Sequence, residues 1–207
     1  MKKLLLLFLY SSLFVPICCV SQSTFKKAND YLELAKDHEK QVIDDYSGIG
    51  FEEQKERIRK DREQSWKAVE YYTKAIDIDP GFVEAYVGRA FNYDFLLAGI
   101  NPSNEADELR KLLLSDYLSL HKYDPDEVLW PCRIGVTFMA YGRVESKWYK
   151  SSIKYFDIAV EIDPNYSNAY MFRANAKKLL GIEYCSDYKK CCDLGNSIGC
   201  LIYKKCQ

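Results

Sequence analysis

The sequence predicts an all-α chain in which short antiparallel helix pairs stack into a superhelical solenoid. Two observations carry that expectation, and a third modifies its end. A phrase recurs: Ala75-Ile-Asp-Ile-Asp-Pro80 returns as Ala159-Val-Glu-Ile-Asp-Pro164. The residues after each proline recur too, since Gly81 to Ala90 matches Asn165 to Ala174, both closing on Ala-Tyr-x-x-Arg-Ala. The C-terminal segment from Tyr184 onward is dense in cysteine.

Each copy has the same physical reading. An amphipathic helix runs up to Asp-Pro, and proline, lacking an amide hydrogen and clashing with a continuing helix, forces a turn. A second helical pattern comes next. Small residues let the helices approach and aromatics fill the wedge beside them. One pair cannot bury its apolar face alone, so pairs stack. Lys122-Tyr-Asp-Pro125 is a weaker third copy.

These residues resemble the tetratricopeptide repeat family. One helix B supplies Ala68, Tyr72, Ala75 and Pro80, and the next helix A supplies Tyr86, Ala90 and Tyr93. The third unit supplies Gly135 and Phe138, then Ser152, Phe156, Ala159 and Pro164; the fourth supplies Tyr170 and Ala174. The likeness covers residues 64 to 205. The family period is about 34 residues, whereas Pro80 to Pro125 is 45 and Pro125 to Pro164 is 39. The larger excess falls around Ala98–Asn104, between the helices of one unit. Leu113 and Leu120 stand where the family prefers alanine, and Pro131 stands where the early aromatic belongs.

Upstream, residues 24 to 46 read as a helix, with Ala28, Tyr31, Leu32, Leu34 and Ala35 among its apolar residues. It is the candidate helix A of a first unit. Ser47 to Phe51 and a charged stretch then form a linker. The mixed charges from Lys55 to Arg62 read as a solvated helix face. Gly48-Ile-Gly50 reads as a turn, having neither a third glycine nor a preceding strand.

Residues 1–21 have the layout of a secretory signal: Lys2 and Lys3, an apolar run from Leu4 to Leu9, then small and polar residues. Cleavage is expected after Ser21. A membrane anchor is disfavoured because Leu4 to Val20 is short and contains Ser11, Ser12 and Pro16. Lipidation at Cys18 or Cys19 is disfavoured by the preceding Val15-Pro16-Ile17. Membrane attachment is expected only by such lipidation or by an uncleaved signal. Removing the signal takes the net charge from −1 to −3 and the cysteines from eight to six. Near-neutral charge gives no reason to expect nucleic acid as a partner.

The expected organisation is a signal peptide (1–21), an N-terminal helix and charged linker (22–63), helix pairs (64–183) and a cysteine-rich terminal hairpin (184–207). In the hairpin, two short helices, 185–194 and 197–206, turn at Leu194-Gly195-Asn196. Antiparallel packing places Cys192 near Cys200 and Cys185 near Cys206, so both bridges can form together. The Cys192–Cys200 spacing resembles that of cysteine-rich Sel1-like repeats, where such a pair staples each hairpin. Zinc is disfavoured by the lack of a Cys-x2-Cys pair and of a nearby His. Cys132 and Cys191 are left either free or paired with each other.

Neither His38 nor His121 has neighbours in the sequence that suggest a catalytic triad, and both read as surface residues. No catalytic residue, metal ligand or cofactor site is expected. The tetratricopeptide resemblance implies that helix A residues line a concave groove: Glu84, Val87, Phe91 and Asp94; Leu129, Cys132, Val136 and Met139; Asn168, Met171, Asn175 and Lys178. The middle group is apolar and suits an apolar peptide, unless other segments cover it. The expectation is an exported, bacterial-type interaction scaffold or assembly factor in the periplasm, at the cell surface or secreted. The alternatives are a glycan or peptidoglycan binder using the 17 tyrosines, and a Sel1-like hydrolase.

Overall fold

The computed structural model describes residues 22–40, 50–98, 100, 103–143 and 145–206. The expected signal, the first part of the expected linker turn and part of the Ala98–Asn104 insertion lie outside them. The described residues form only helices. These are α1 (Gln22–Glu39), α2 (Phe51–Ile78), α3 (Val83–Leu97), α4 (Asn104–Tyr123), α5 (Leu129–Gly142), α6 (Lys147–Ile162), α7 (Ser167–Leu179), α8 (Cys185–Asp193) and α9 (Ser197–Tyr203). Each packs on the next in chain order.

The Asp-Pro turns end helices as their chemistry requires. The amide of Asp79 still donates to the Ala75 carbonyl and that of Asp163 to Ala159. The carboxylate of each then accepts the amide two residues on, Gly81 at 3.0 Å and Asn165 at 2.9 Å, closing a compact turn. Tyr86 and Tyr170 donate their hydroxyls to the carbonyls of Pro80 and Pro164, both at 3.2 Å. The sequence repeat is therefore also a hydrogen-bond repeat. The α4 entry uses a different device: Ser103 accepts the amide of Ala106, a serine N-cap.

Alternate helices form two layers, with α1, α3, α5 and α7 in one and α2, α4, α6 and α8 in the other. Among the described residues α1 touches α3 directly and α5 touches α7, while no two helices of the second layer approach as closely. In a curved two-layer stack the more closely spaced layer is the inner one. Small residues permit the approach between layers. A side chain on Gly135 would place its Cβ 2.5 Å from Phe156, a fully buried aromatic of α6. Burial of a phenylalanine stabilises by about 2–3 kcal/mol, and here it depends on that missing methyl.

The core falls into two clusters. The larger joins α1 to α5 through Ala68, Tyr72, Ala75, Tyr93, Leu113, Leu120 and Ile134. The smaller joins α5, α6 and α7 around Cys132, Phe156, Ala159 and Ala169. Leu113 and Leu120, at positions where the family prefers alanine, are 3% and 0% exposed. These bulky side chains widen the seam on α4, and α5 does not approach α3 as α7 approaches α5. Pro131 sits in the first turn of α5, where it costs little, and its neighbour Trp130 supplies the buried aromatic.

One expected boundary is corrected. The charged stretch before residue 64 is not linker: it is the first half of α2, a single helix of 28 residues. Most of the Lys55 to Lys60 run lies on its surface, laced by pairs such as Arg59 with Glu56, whereas Asp61 is buried and Arg62 turns inward to donate to the Leu96 carbonyl of α3 at 2.7 Å. The terminal helices α8 and α9 pack on each other as a hairpin, and α8 also packs on α7, with Tyr188 and Cys191 buried at the aromatic and small-residue places of a helix B.

Candidate functional site

The inner face is built from α3, α5 and α7, and its three groups of expected groove residues fare differently. On α3, Val87 is 39% exposed and Phe91 is 64% exposed, with Glu84 exposed beside them. Their openness reflects the wide α3–α5 spacing. Asp94 is instead a structural node. Its carboxylate accepts the Tyr117 hydroxyl at 2.5 Å from α4 and lies 3.6 Å from the Arg133 guanidinium of α5. That ion pair spans the gap that the backbone does not close.

On α5 the expected apolar groove is a covered surface. Cys132 is only 3% exposed, and Val136 and Met139 are half-buried in the smaller core. Leu129 is half-buried against the larger core. The cause is the packing of α5, α6 and α7 into one cluster, with α7 in direct contact with α5. On α7, Asn168 and Met171 are half-buried and Lys178 is exposed. Asn175 accepts the Tyr188 hydroxyl at 2.5 Å. Of the apolar residues expected to line a groove, only Val87 and Phe91, on α3, are exposed.

Asp94 and Asn175 belong to a pattern. Tyr117 and Tyr188 occupy equivalent places on their B helices, and each donates to the A helix of its own unit. Tyr72 does the same in the first unit, bonding to Glu39. Glu39 also accepts from Asn92, 1% exposed, at 2.5 Å. Burial, reinforced by these carboxylates, pushes the Tyr72 and Tyr117 phenols well above the ordinary tyrosine range.

The strongest polar feature is not among the residues expected from the sequence. Arg89 holds Asp116 through two bonds, Nε to Oδ2 at 2.9 Å and Nη2 to Oδ1 at 2.6 Å, while Nη1 donates to Thr73 at 3.0 Å. Arg173 repeats this arrangement one half-array later. It forks onto Asp187 at 3.0 and 2.7 Å and reaches Asp157 at 2.7 Å. Each arginine thus clamps its own helix B to the preceding one, and Lys177 adds a further bond to Asp187 at 2.8 Å. Both arginines stand before the last alanine of the repeated Ala-Tyr-x-x-Arg-Ala, which was the available signal.

The clamp is buried: the Asp116 side chain is 2% exposed and that of Arg89 15%. Burial pushes the Asp116 carboxyl up, and the arginine opposes that rise without cancelling it. On the other side of the contact, burial works to discharge Arg89, but its bonds to Asp116 win and hold it firmly protonated. The cost of burial thus falls on the carboxylate.

The terminal hairpin carries both expected bridges, Cys185–Cys206 and Cys192–Cys200. Gly195, at φ +84°, ends α8, with the amides of Gly195 and Asn196 returning to the carbonyls of Cys192 and Cys191, a Schellman closure. Cys132 and Cys191 are both free and buried, so they do not pair. Burial pushes the Cys132 thiol up to about 11 and raises Cys191 as well. Neither is placed as a reactive thiolate. Of the histidines expected at the surface, His38 is half-buried. It stacks on Tyr71 and bonds Gln64 at 2.7 Å, tying α1 to α2. His121 is also half-buried, with its Nδ1 lacking a hydrogen-bond partner among the described residues. Among the described residues no helix is long and apolar enough to cross a membrane, and no cluster of His, Cys, Asp and Glu is arranged to hold a metal ion.

Comparison with known proteins gives the same architecture. No family model matches the chain. A stretch of 108 residues, 52% of the chain, is 30% identical to tetratricopeptide repeat protein 6 of Homo sapiens, of which it spans only 18%. A thermophilic TPR protein of Thermus thermophilus superposes with TM-score 0.54 at 12% identity, over 89% of this chain and 97% of its own. MamA from MSR-1 superposes with TM-score 0.51 at 16% identity, over 83% of this chain and 92% of its own. Likeness at such identities is a likeness of fold, and it joins the repeated Asp-Pro turns and paired layers in one conclusion: the chain is a solenoid of tetratricopeptide-type helix pairs.

Proposed function

We propose that the protein is an extracytoplasmic scaffold that binds a protein or peptide partner on the inner face of α3. One observation carries this reading: Val87 and Phe91 project side by side, one helical turn apart, from the middle of the inner layer, 39% and 64% exposed. Exposed apolar pairs rimmed by charge mark interaction sites, and Glu84 supplies the rim. The comparisons support a binding role through the shared architecture. Export is supported by the signal-like residues 1–21 and by two bridges of a kind formed in oxidising compartments.

The glycan-binding alternative is weaker. Tyr72, Tyr86, Tyr93, Tyr117, Tyr149, Tyr170 and Tyr188 are buried packing residues, unavailable to stack on a sugar. For the hydrolase alternative, the free thiols and the imidazoles lie in packing positions rather than in a cleft.

The test is affinity capture from an envelope extract with wild type and with Val87→Asp/Phe91→Asp. The expected result is loss of the captured partners by the variant with unchanged helicity by circular dichroism. Retention of the same partners would remove the α3 face from the proposal. Met139→Asp is unsuitable for this purpose, because Met139 packs in the smaller core and a buried charge there would unfold it.

A further inference from the structure

The outer face of α9 is the counterpart of the α3 face. Ser197, Ile198 and Leu201 are its exposed residues, and the exposed Lys204 and Lys205 follow in the turn that ends the helix. Ile198 is 56% exposed and Leu201 62%. The opposite face of α9 is committed to α8: Gly199 lies so close to Cys191 that a Cβ there would meet its sulfur at 2.5 Å, and two bridges pin the helix. The apolar pair is therefore held outward on a rigid support.

The two stripes are complementary in order and in charge. On α3 the stripe runs Glu84, Val87, Phe91; on α9, read in the opposite direction, it runs Lys205, Leu201, Ile198. Each spans a step of seven residues of sequence, the second including the turn after α9, so antiparallel alignment sets Leu201 against Val87, Ile198 against Phe91, and the lysines towards Glu84. Among the described residues Glu84, Lys204 and Lys205 have no ion-pair partner. Helix-in-groove docking reads such i, i+3 and i+4 anchors directly.

We propose that the occupant of the α3 face is α9 of a second copy of this chain. The inference rests on the proposed role of that face and names its partner. Apolar contact supplies the affinity, and the Glu84–lysine pairing sets the direction. Within one copy α3 and α9 do not approach, so the contact is made between copies.

Sedimentation velocity of the disulfide-bonded protein, between about 1 μM and 1 mM, the range of weak association, tests this. The expected result is a mass that grows with concentration. Phe91→Asp and Leu201→Asp should each abolish the growth. Lys204→Glu/Lys205→Glu should weaken it about tenfold or more at low salt, and adding Glu84→Lys to that variant should restore it. All five positions are exposed, so helicity should be unchanged throughout. A monomer across the whole range, association indifferent to Phe91→Asp and Leu201→Asp, or no restoration by Glu84→Lys would overturn the proposal. A monomer whose captured partners still depend on Phe91 would remove self-docking alone; partners indifferent to Phe91 would remove the α3 binding face itself.

Discussion

Replacing Asp116 with alanine should be among the most damaging single changes in the chain. The carboxylate is 2% exposed and accepts two bonds from Arg89, at 2.9 and 2.6 Å. Its removal leaves a guanidinium that is 15% exposed, with Thr73 as its remaining hydrogen-bond partner and the Tyr86 ring 5.6 Å away. Breaking a buried pair from one side costs about 3–5 kcal/mol, because the other charge stays desolvated. The intact pair is not itself a large source of stability, since burial raises the Asp116 carboxyl despite the arginine. That sign has a second consequence. A raised carboxyl favours the fold while protonated, below its unfolded value, and that contribution is lost as pH rises through the folded value. At neutral pH the pair therefore stands near balance. Asp116→Leu together with Arg89→Met should then lie within about 1–2 kcal/mol of wild type. Urea denaturation of the oxidised protein at neutral pH reads both variants, with Lys154→Ala, at an exposed position of α6, as a surface control that should show no measurable change. If Asp116→Ala unfolds at the urea midpoint of the control, the clamp is incidental. If the double apolar variant is as unstable as the single, the pair is a true source of stability and the reasoning about its burial fails.

The packing sets further outcomes. Ser152 is fully buried and its hydroxyl finds no partner among the described residues, so Ser152→Ala should raise the urea midpoint, by about 1 kcal/mol in free energy. Gly135→Ala should destabilise by about 1–3 kcal/mol, since its methyl would meet Phe156 at 2.5 Å; a neutral result would mean that α5 and α6 slide freely. The Cys185–Cys206 bridge closes 21 residues and Cys192–Cys200 closes 8. Paired serine substitutions should therefore cost about 3 and about 2.5 kcal/mol, in that order, by loop entropy. In native protein at pH 8, iodoacetamide should leave Cys132 unmodified, because its thiol is buried and raised to about 11. Mass spectrometry should find modification only after denaturation.

Local chemistry made the fold legible in the sequence. Asp-Pro turns, alanines at the contact places and the symmetry of four cysteines about Gly195 each act within a helix pair, so spacing alone exposes them. The exposure of the candidate groove residues was not legible. Val87 and Phe91 are exposed, whereas Cys132 is buried and Val136 and Met139 are half-buried in the smaller core, whose packing depends on how closely α7 approaches α5. Pairwise sequence patterns do not encode that distance. The charged run from Lys55 to Arg62 read as a helix face, but its continuity with α2 back to Phe51 was not legible, because a helix solvated on most sides shows little apolar periodicity. The arginine clamps were visible as a repeated letter, but their aspartates come from different spacings, 27 residues on for Asp116 and 14 for Asp187, so only the folded chain joins them.

The most direct test of the binding account is site-specific photo-crosslinking in the native envelope. Benzoylphenylalanine at position 91, on the inner face of α3, should yield a discrete covalent adduct with a protein partner. The same probe at position 66, on α2, where the native Trp66 is 42% exposed, should yield none. Adducts from position 66 with none from position 91 would contradict the account.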